Sequence, residues 1–424
     1  MHGLLTDLYQ LTMAAGYVAA GKSGERATFE LFVRRLPGRR DYLVAAGLQQ
    51  AVEYLRGLSF TAEEIAYLRG LPQFSHAPGE LWQVLRDLRF TGDLWALPEG
   101  TPFLAGEPVL TVRAPLIEAQ IAETYLLSVI GFQTMIASKA ARVVKAAEGR
   151  PVVEFGTRRA HSPEAGVLAA RAAYVGGCMA TSNVEAGMRF GVPVTGTAAH
   201  SWVQSFASEE ESFRRLQDLY GERTVYLIDT YDTEQGARRA AALGRPLWGV
   251  RLDSGDLDAL SRRVRVILDE ARLREAKIMA SGDLNEDRIR DLVAAGAPVD
   301  AFGVGTELST SSDTPTLSVV YKLVEIDGRP VAKFSPGKQT YPGSKQVFRF
   351  PDRDMVSLAS DCPCDEVPQP VPLLRPVMLG GELAGPLAAL EESRGRAREK
   401  PPSRVEYSDS LKQLLEQCRP SSST

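Results

Sequence analysis

The sequence predicts an α/β fold built around a parallel sheet, and two observations carry that expectation. Between residues 151 and 306, short β-branched or apolar runs alternate with stretches whose apolar residues recur at three- and four-residue steps. These are the periodicities of buried strands and of the helices packed on them. The runs also end in polar residues, often with glycine, and parallel β/α folds carry their reactive groups at the C-terminal ends of their strands. Six such units fit a barrel or a doubly wound sheet.

In chain order, LLTDLYQLTMAAGY reads as a first helix. ERATFELFVRRLPG and DLWALPEGTPFLAGEPVLTVRAP read as strands with turns at Pro and Gly, the second followed by a helical stretch from about 116 to 147. The repeating core follows, with strands expected at VVEFG, VPVTG, TVYLID, LWGVRLD, KIMASG and VDAFGVG. Segments such as PEAGVLAARAAYVGG, SEEESFRRLQDLYG and LDALSRRVRVILDEA supply the helices, several with terminal glycines. SVVYKLVEIDGRPVAKFS reads as a hairpin closed by Asp327-Gly328. From about residue 385 the chain is charged and polar, and its last residues are expected to be disordered.

Composition removes several function classes. A chain of 424 residues suggests roughly two to three domains of about 150 residues each. It is 44% hydrophobic and 24% charged, with no apolar run near the ~20 residues of a membrane span. The N-terminus has no basic segment followed by an apolar core and a small-residue cleavage site, which points to a cytoplasmic protein with no membrane partner. Net charge is −4 with acids and bases interspersed, so nucleic acid is not an expected partner. Of the four cysteines only Cys362 and Cys364 are close, without the second pair of a metal ribbon, and they read as reduced surface thiols rather than metal ligands.

The strand tips form a coherent chemical set. Thr157, Arg158 and Arg159 follow VVEFG; Thr197 and His200 follow VPVTG; Asp229, Thr230 and Asp232 follow TVYLI. Arg251, Asp253, Ser254, Gly255 and Asp256 end the next strand, then Ser281, Gly282 and Asp283, then Gly303, Gly305 and Thr306. Glycine at two successive tips lets backbone N–H groups approach an anion without a Cβ in the way, which suits a phosphate as well as a tight turn. Asp253 and Asp283 would suit ribose hydroxyls or a magnesium ion (Mg2+) reached through water. His200 by itself reads equally as a histidine at the end of a buried strand. His2 and His76 read as solvent-exposed, and His161 belongs to no motif.

The motifs LLTDLYQLTMAAGY, EFGTRR, TSNVEAG, GTAAHSW, RLDSGDL, AFGVGTELST and KQTYPGSKQVFR, in this order, resemble those of the nicotinate phosphoribosyltransferase family up to about residue 350. The resemblance implies a type II phosphoribosyltransferase fold: an irregular β/α barrel plus an α/β domain built from the N-terminal segment and a C-terminal return. Domains are then expected at 1–120, at 121–310 with the active site, and at 311–424. It further implies transfer of a phosphoribosyl group from phosphoribosyl pyrophosphate to nicotinate, coupled to ATP and magnesium, at the entry of salvaged nicotinate into NAD. Carried over by motif, Arg251 would meet the nicotinate carboxylate, Arg158 the ring or pyrophosphate, and Thr197 the substrate. Asp253 would hold ribose or orient the metal, while Gly282, Asp283, Gly303, Gly305 and Thr306 would hold the phosphate end. His200 would be the residue phosphorylated by ATP. Tyr9 would stack on the pyridine from a neighbouring subunit, which implies a homodimer with shared sites.

Three rivals are weighed against this expectation. A nicotinamide-specific relative would carry an acidic residue near TSNV to accept an amide N–H, where this chain has Ser182 and Asn183. A Schiff-base aldolase needs a lysine at a strand tip, and Lys277 opens its strand at the other end. A non-catalytic sugar-phosphate sensor would keep the glycine turns without needing His200, and turnover separates the two.

Overall fold

The alternation of apolar runs and helical stretches becomes a six-stranded, wholly parallel sheet in the computed structural model, which describes residues 3–361, 363 and 369–420. Expectations for His2, for the Cys362/Cys364 pair and for the last residues, 421–424, lie outside the described residues. In chain order the strands are Val152–Glu154, Ala180–Thr181, Val225–Leu227, Gly249–Leu252, Lys277–Ala280 and Ala301–Val304. In space they run second, first, sixth, fifth, fourth, third. The second and third strands pair with no further strand among the described residues, so the sheet is a curled half-barrel, open between them.

One expected strand is corrected. VPVTG does not form a ladder; the second strand is the two-residue Ala180–Thr181, and Val194 meets it through a single parallel bridge to Thr181. Thr181 donates to the Pro193 carbonyl and accepts from Thr195. Pro193 has no N–H of its own to extend the pairing.

Side-chain caps set where the helices start. Ser162 caps Pro163–Val175, with Pro163 at the first helical position. Asn183 caps Val184–Phe190, Asp232 caps Thr233–Leu243, Asp256 caps Leu257–Glu270 and Asn285 caps Glu286–Ala294. Each satisfies an otherwise orphaned backbone N–H, typically about 1 kcal/mol of helix stability. Asp232 and Asp256, read from sequence as part of a polar rim, are therefore helix caps.

The chain divides into two compact units, Ile136–Pro315 and the segments on either side of it. In the flanking unit, a seven-stranded antiparallel sheet draws Arg26–Val33, Pro108–Pro115 and Asp93–Ala96 from the first part of the chain. Val319–Ile326, Arg329–Pro330, Arg375–Leu379 and Glu382–Leu383 join it from the last part. Asp327 and Gly328 have φ of 46° and 73°, the left-handed geometry of a two-residue hairpin turn. Phe29, Leu31, Leu110, Val112, Leu55 and Leu85 belong to one buried cluster in this unit. The polar C-terminal stretch is also structured, because the helix Asp409–Gln417 buries Leu411 and Leu415. Among the described residues no helix is long and apolar enough to cross a membrane.

Candidate active site

Strand parity selects the residues of the site. In the parallel ladders Arg251 is level with Met279 and Leu227, Met279 with Ala301, Gly303 with Val153, and Val153 with Ala180. Side chains two residues apart share a face, so Phe155, Ser182, Leu227, Arg251, Asp253, Ser281, Gly303 and Gly305 fall on one side of the sheet. All of them line a single cavity of about 870 Å3, within the range of small-molecule sites. Lower on the same face, Val153, Ala180, Met279 and Ala301 form a small apolar cluster against which Phe155 packs.

The cavity gathers the residues of this unit to which the resemblance gives a role, Arg158, Thr197, His200, Arg251, Asp253, Gly282, Asp283, Gly303, Gly305 and Thr306, while the tip residues Asp229, Thr230, Asp232, Ser254, Gly255 and Asp256 do not line it. Tyr9 is elsewhere, on the helix Leu8–Ala19 of the flanking unit, 47% exposed. Leu5, Leu8 and Met13 are exposed with it. Arg158 and Arg159 are exposed where the short turn Thr157–Arg159 leaves the first strand.

Arg251 is the best-anchored cation of the cavity. Its Nε donates to Ser281 Oγ at 2.9 Å, one terminal nitrogen donates to Asp253 Oδ1 at 2.8 Å, and the other reaches Thr197 Oγ1 and the Ala198 carbonyl. A guanidinium has five N–H donors, so four are committed to the protein and one is left for a ligand. The guanidinium also lies 5.7 Å from the Phe155 ring centroid. Burial pushes the Asp253 carboxyl up, but Arg251, the Ser281 hydroxyl and His200 together hold it below the usual carboxylate range. Asp253 is therefore ionised at neutral pH.

His200 opens the short helix His200–Gln204 with its side chain 41% exposed. Its Nδ1 is 3.2 Å from Thr230 Oγ1, and its Nε2 is 3.9 Å from Asp253 Oδ2. The Thr230 hydroxyl can accept from or donate to Nδ1; in the tautomer whose Nδ1 donates, Nε2 carries the lone pair that a phosphoryl acceptor needs. Asp229 braces this corner: its Oδ2 accepts from the Asp253 backbone N–H at 3.0 Å and from Ser254 Oγ at 2.6 Å.

The two glycine turns have a steric basis. Gly282 sits at φ +92°, and a Cβ there would stand 2.0 Å from the Asp253 carbonyl oxygen. Gly303 lies under the Phe155 ring, where a Cβ would come within 2.6 Å of it. Gly305 then leads into the single-turn helix Thr306–Ser309.

Two contributors, Phe155 and Glu154, escape a reading of the sequence, as does the role of Ser281, which that reading names only as a strand-tip residue. Phe155 looks like the end of a buried strand, yet it walls the cavity. Ser281 links Arg251 to Asp253 by contacting both side chains. Glu154, 1% exposed, points to the opposite face, takes the Thr181 hydroxyl at 2.6 Å and the Gly156 N–H, and so ties the first two tips together. Burial pushes its carboxyl up, against the pull of those two donors. The only advance signal was a carboxylate inside an apolar run.

Known proteins place the chain. Residues 4–131 match the nicotinate phosphoribosyltransferase N-terminal domain, and residues 136–315 match the quinolinate phosphoribosyl transferase C-terminal domain. The chain is 49% identical over 352 residues to nicotinate phosphoribosyltransferase pncB2 of Mycobacterium tuberculosis, covering 82% of this chain and 75% of that protein. It is 44% identical over 360 residues to the nicotinate phosphoribosyltransferase of Bacillus subtilis, covering 82% and 73%. Human nicotinic acid phosphoribosyltransferase superposes with a TM-score of 0.84 at 29% identity, over 98% of this chain and 100% of that one. A nicotinate-nucleotide pyrophosphorylase from Pyrococcus furiosus gives 0.77 at 27%, over 93% and 94%. This chain belongs to the nicotinate phosphoribosyltransferase family.

Proposed function

We propose that the chain joins nicotinate to phosphoribosyl pyrophosphate, giving nicotinate mononucleotide and pyrophosphate in NAD salvage, with ATP hydrolysis coupled through His200. The observation that carries this reading is the cavity itself. One fixed guanidinium, one ionised aspartate, one half-exposed imidazole and two glycine turns converge on a volume of about 870 Å3. The family relatives named nicotinate phosphoribosyltransferase support the same reaction.

In this reading the pyridine nitrogen attacks the anomeric carbon as its bond to the diphosphate breaks, and the bonding electron pair leaves with the diphosphate. The ring nitrogen carries no proton, so none has to be removed. Such a step needs position and electrostatics more than a protein nucleophile. Arg251 offers its remaining N–H to the nicotinate carboxylate, with the Thr197 hydroxyl beside it, and Phe155 forms a wall for the ring. Asp253 Oδ2 faces the ribose, where positive charge develops. The Gly282–Asp283 and Gly303–Thr306 turns receive the phosphate end, and Arg158 and Arg159 meet the diphosphate at the rim.

Among the described residues no group of three or more His, Cys, Asp or Glu is arranged to hold a metal ion. Magnesium would therefore enter on the diphosphate and meet Asp253 and Asp283 through water, neutralising charge on the leaving group. ATP would give its terminal phosphoryl group to His200 Nε2, releasing ADP, and water would later return the phosphohistidine to histidine and phosphate. Asn183 supports the acid over the amide as substrate. Its Oδ1 caps the Ala186 N–H at 2.8 Å and its Nδ2 donates to Thr157 Oγ1 at 3.2 Å, so it is occupied as an amide acceptor. Tyr9 stacking on the pyridine from a neighbouring copy, in a homodimer with shared sites, is part of the same proposal.

The test is an assay of purified protein with nicotinate, phosphoribosyl pyrophosphate and magnesium, with and without ATP, on wild type and His200→Asn. Wild type should take acid-labile label from γ-labelled ATP and be stimulated by it. The variant should take none and retain a slow, ATP-independent transfer. Equal labelling or full ATP stimulation of the variant would remove His200 from the mechanism.

A further inference from the structure

Behind the two glycine turns lies an ion network that the proposed chemistry does not use. Lys139, on the helix Glu123–Ala146, has a side chain only 1% exposed. Its ammonium pairs with Glu286, reaches Asp313 at 2.9 Å and stands 4.0 Å from Glu307. Arg142, one helical turn on, contacts Glu286 at 3.0 Å and Asp313 at 3.5 Å. Two cations thus meet three carboxylates, and Glu286 is itself 2% exposed.

The location of the carboxylates gives the network its meaning. Glu286 is the first residue of the helix that follows the Gly282–Asp283 turn. Glu307 is the second residue of the helix that follows Gly303 and Gly305. These turns end the fifth and sixth strands, which are neighbours in the sheet. A single ammonium therefore stands between the starts of the two helices that carry the turns, paired directly with Glu286 and 4.0 Å from Glu307. Buried ion pairs add little net stability compared with apolar packing of the same volume. What this one supplies is a fixed spacing.

We propose that Lys139 and Arg142 are positioning residues for phosphoribosyl pyrophosphate, holding the two turns at the separation its phosphate end requires. This rests on the assignment of the turns to that phosphate. A displacement near 1 Å at a substrate-positioning element can cost on the order of 100-fold in rate, so the network governs use of that substrate without touching it.

The experiment measures thermal stability and the KM of each substrate for four variants of the full chain. Lys139→Met leaves the Glu286 charge buried without its ammonium and should lower Tm; the double variant Lys139→Met/Glu286→Gln removes both charges and should recover much of it. In the double variant, and in the less buried Glu307→Gln, the KM for phosphoribosyl pyrophosphate should stay raised by on the order of 10- to 100-fold, with the nicotinate KM little changed. A merely structural role predicts that this KM returns as Tm does, and that result, or a wild-type value in Glu307→Gln, overturns the proposal. Gly282→Ala separates the two readings. If it raises the KM for phosphoribosyl pyrophosphate while the network variants do not, the positioning role fails alone; if it leaves that KM unchanged, the assignment of the turns fails and the proposal with it.

Discussion

Arg251→Lys isolates geometry from charge in the proposed carboxylate site. The guanidinium reaches Ser281 at 2.9 Å, Asp253 at 2.8 Å, and Thr197 with the Ala198 carbonyl on the third side. A lysine ammonium is a point charge with three donors. Held by Asp253, it cannot also span Ser281 and Thr197, which lie on different nitrogens of the native fork. The nicotinate carboxylate then meets a displaced cation. Hydrogen bonds to charged groups are worth about 1.5–3 kcal/mol, so losing one amounts to roughly 10- to 150-fold. Initial rates with nicotinate varied at saturating phosphoribosyl pyrophosphate, and the converse, give both KM values. The nicotinate KM should rise by that factor and exceed the change in the other. An unchanged nicotinate KM in a protein that melts like wild type would refute the role given to Arg251.

Three further outcomes follow from particular contacts. Gly303→Ala should push the Phe155 ring out of place, since the added Cβ would lie 2.6 Å from it; the expected reading is a raised nicotinate KM with a stability loss of about 1–3 kcal/mol, and a wild-type KM would show that the ring is not part of the ring site. Glu107 is fully buried, and burial and then the Asp354 charge hold its carboxyl well above its ordinary value of 4.5. A raised native value stabilises fully at low pH and is lost as pH rises through it, so wild-type Tm should fall from pH 5 to pH 8 more than that of Glu107→Gln; parallel profiles would sink this assignment. If Tyr9 reaches a neighbouring copy's cavity, mixing Tyr9→Ala with Arg251→Ala under conditions of subunit exchange should restore activity that neither variant has alone, and no recovery despite proven exchange would place Tyr9 outside a shared site.

Much of this fold was legible because its signals are local. Period marks a βα unit, a short apolar run followed by an amphipathic stretch, whereas the caps Ser162, Asp232, Asp256 and Asn285 that start those stretches are plain only in the structure. The hairpin at Asp327-Gly328 is equally local, since both residues must take positive φ. The second strand was misplaced for a local reason too. VPVTG has the β-branched composition of a strand, whereas Ala180–Thr181 is too short to have a period at all.

What could not be read locally is which side of the sheet a residue faces, because parity has meaning only once neighbouring strands are in register. Phe155 follows Glu154 directly, yet the one walls the cavity and the other binds Thr181 behind it. Nothing in VVEFG separates a substrate-facing aromatic from a buried one. Ser281 is likewise ordinary until the fourth and fifth strands align Arg251 with Met279 and bring its hydroxyl between Arg251 and Asp253. The ion network adds a third kind of blindness. Lys139 and Arg142 resemble the solvated positions of a long helix, and their partners come much later in the chain: Glu286 and Glu307 at helix starts, where carboxylates are favourable for a different reason, and Asp313 in a turn. Glu286 satisfies both demands at once, easing the helix terminus that follows one glycine turn while binding the cation shared with the other. A residue with two compatible reasons to be acidic reveals neither in sequence, and here the second reason is the one that bears on the substrate.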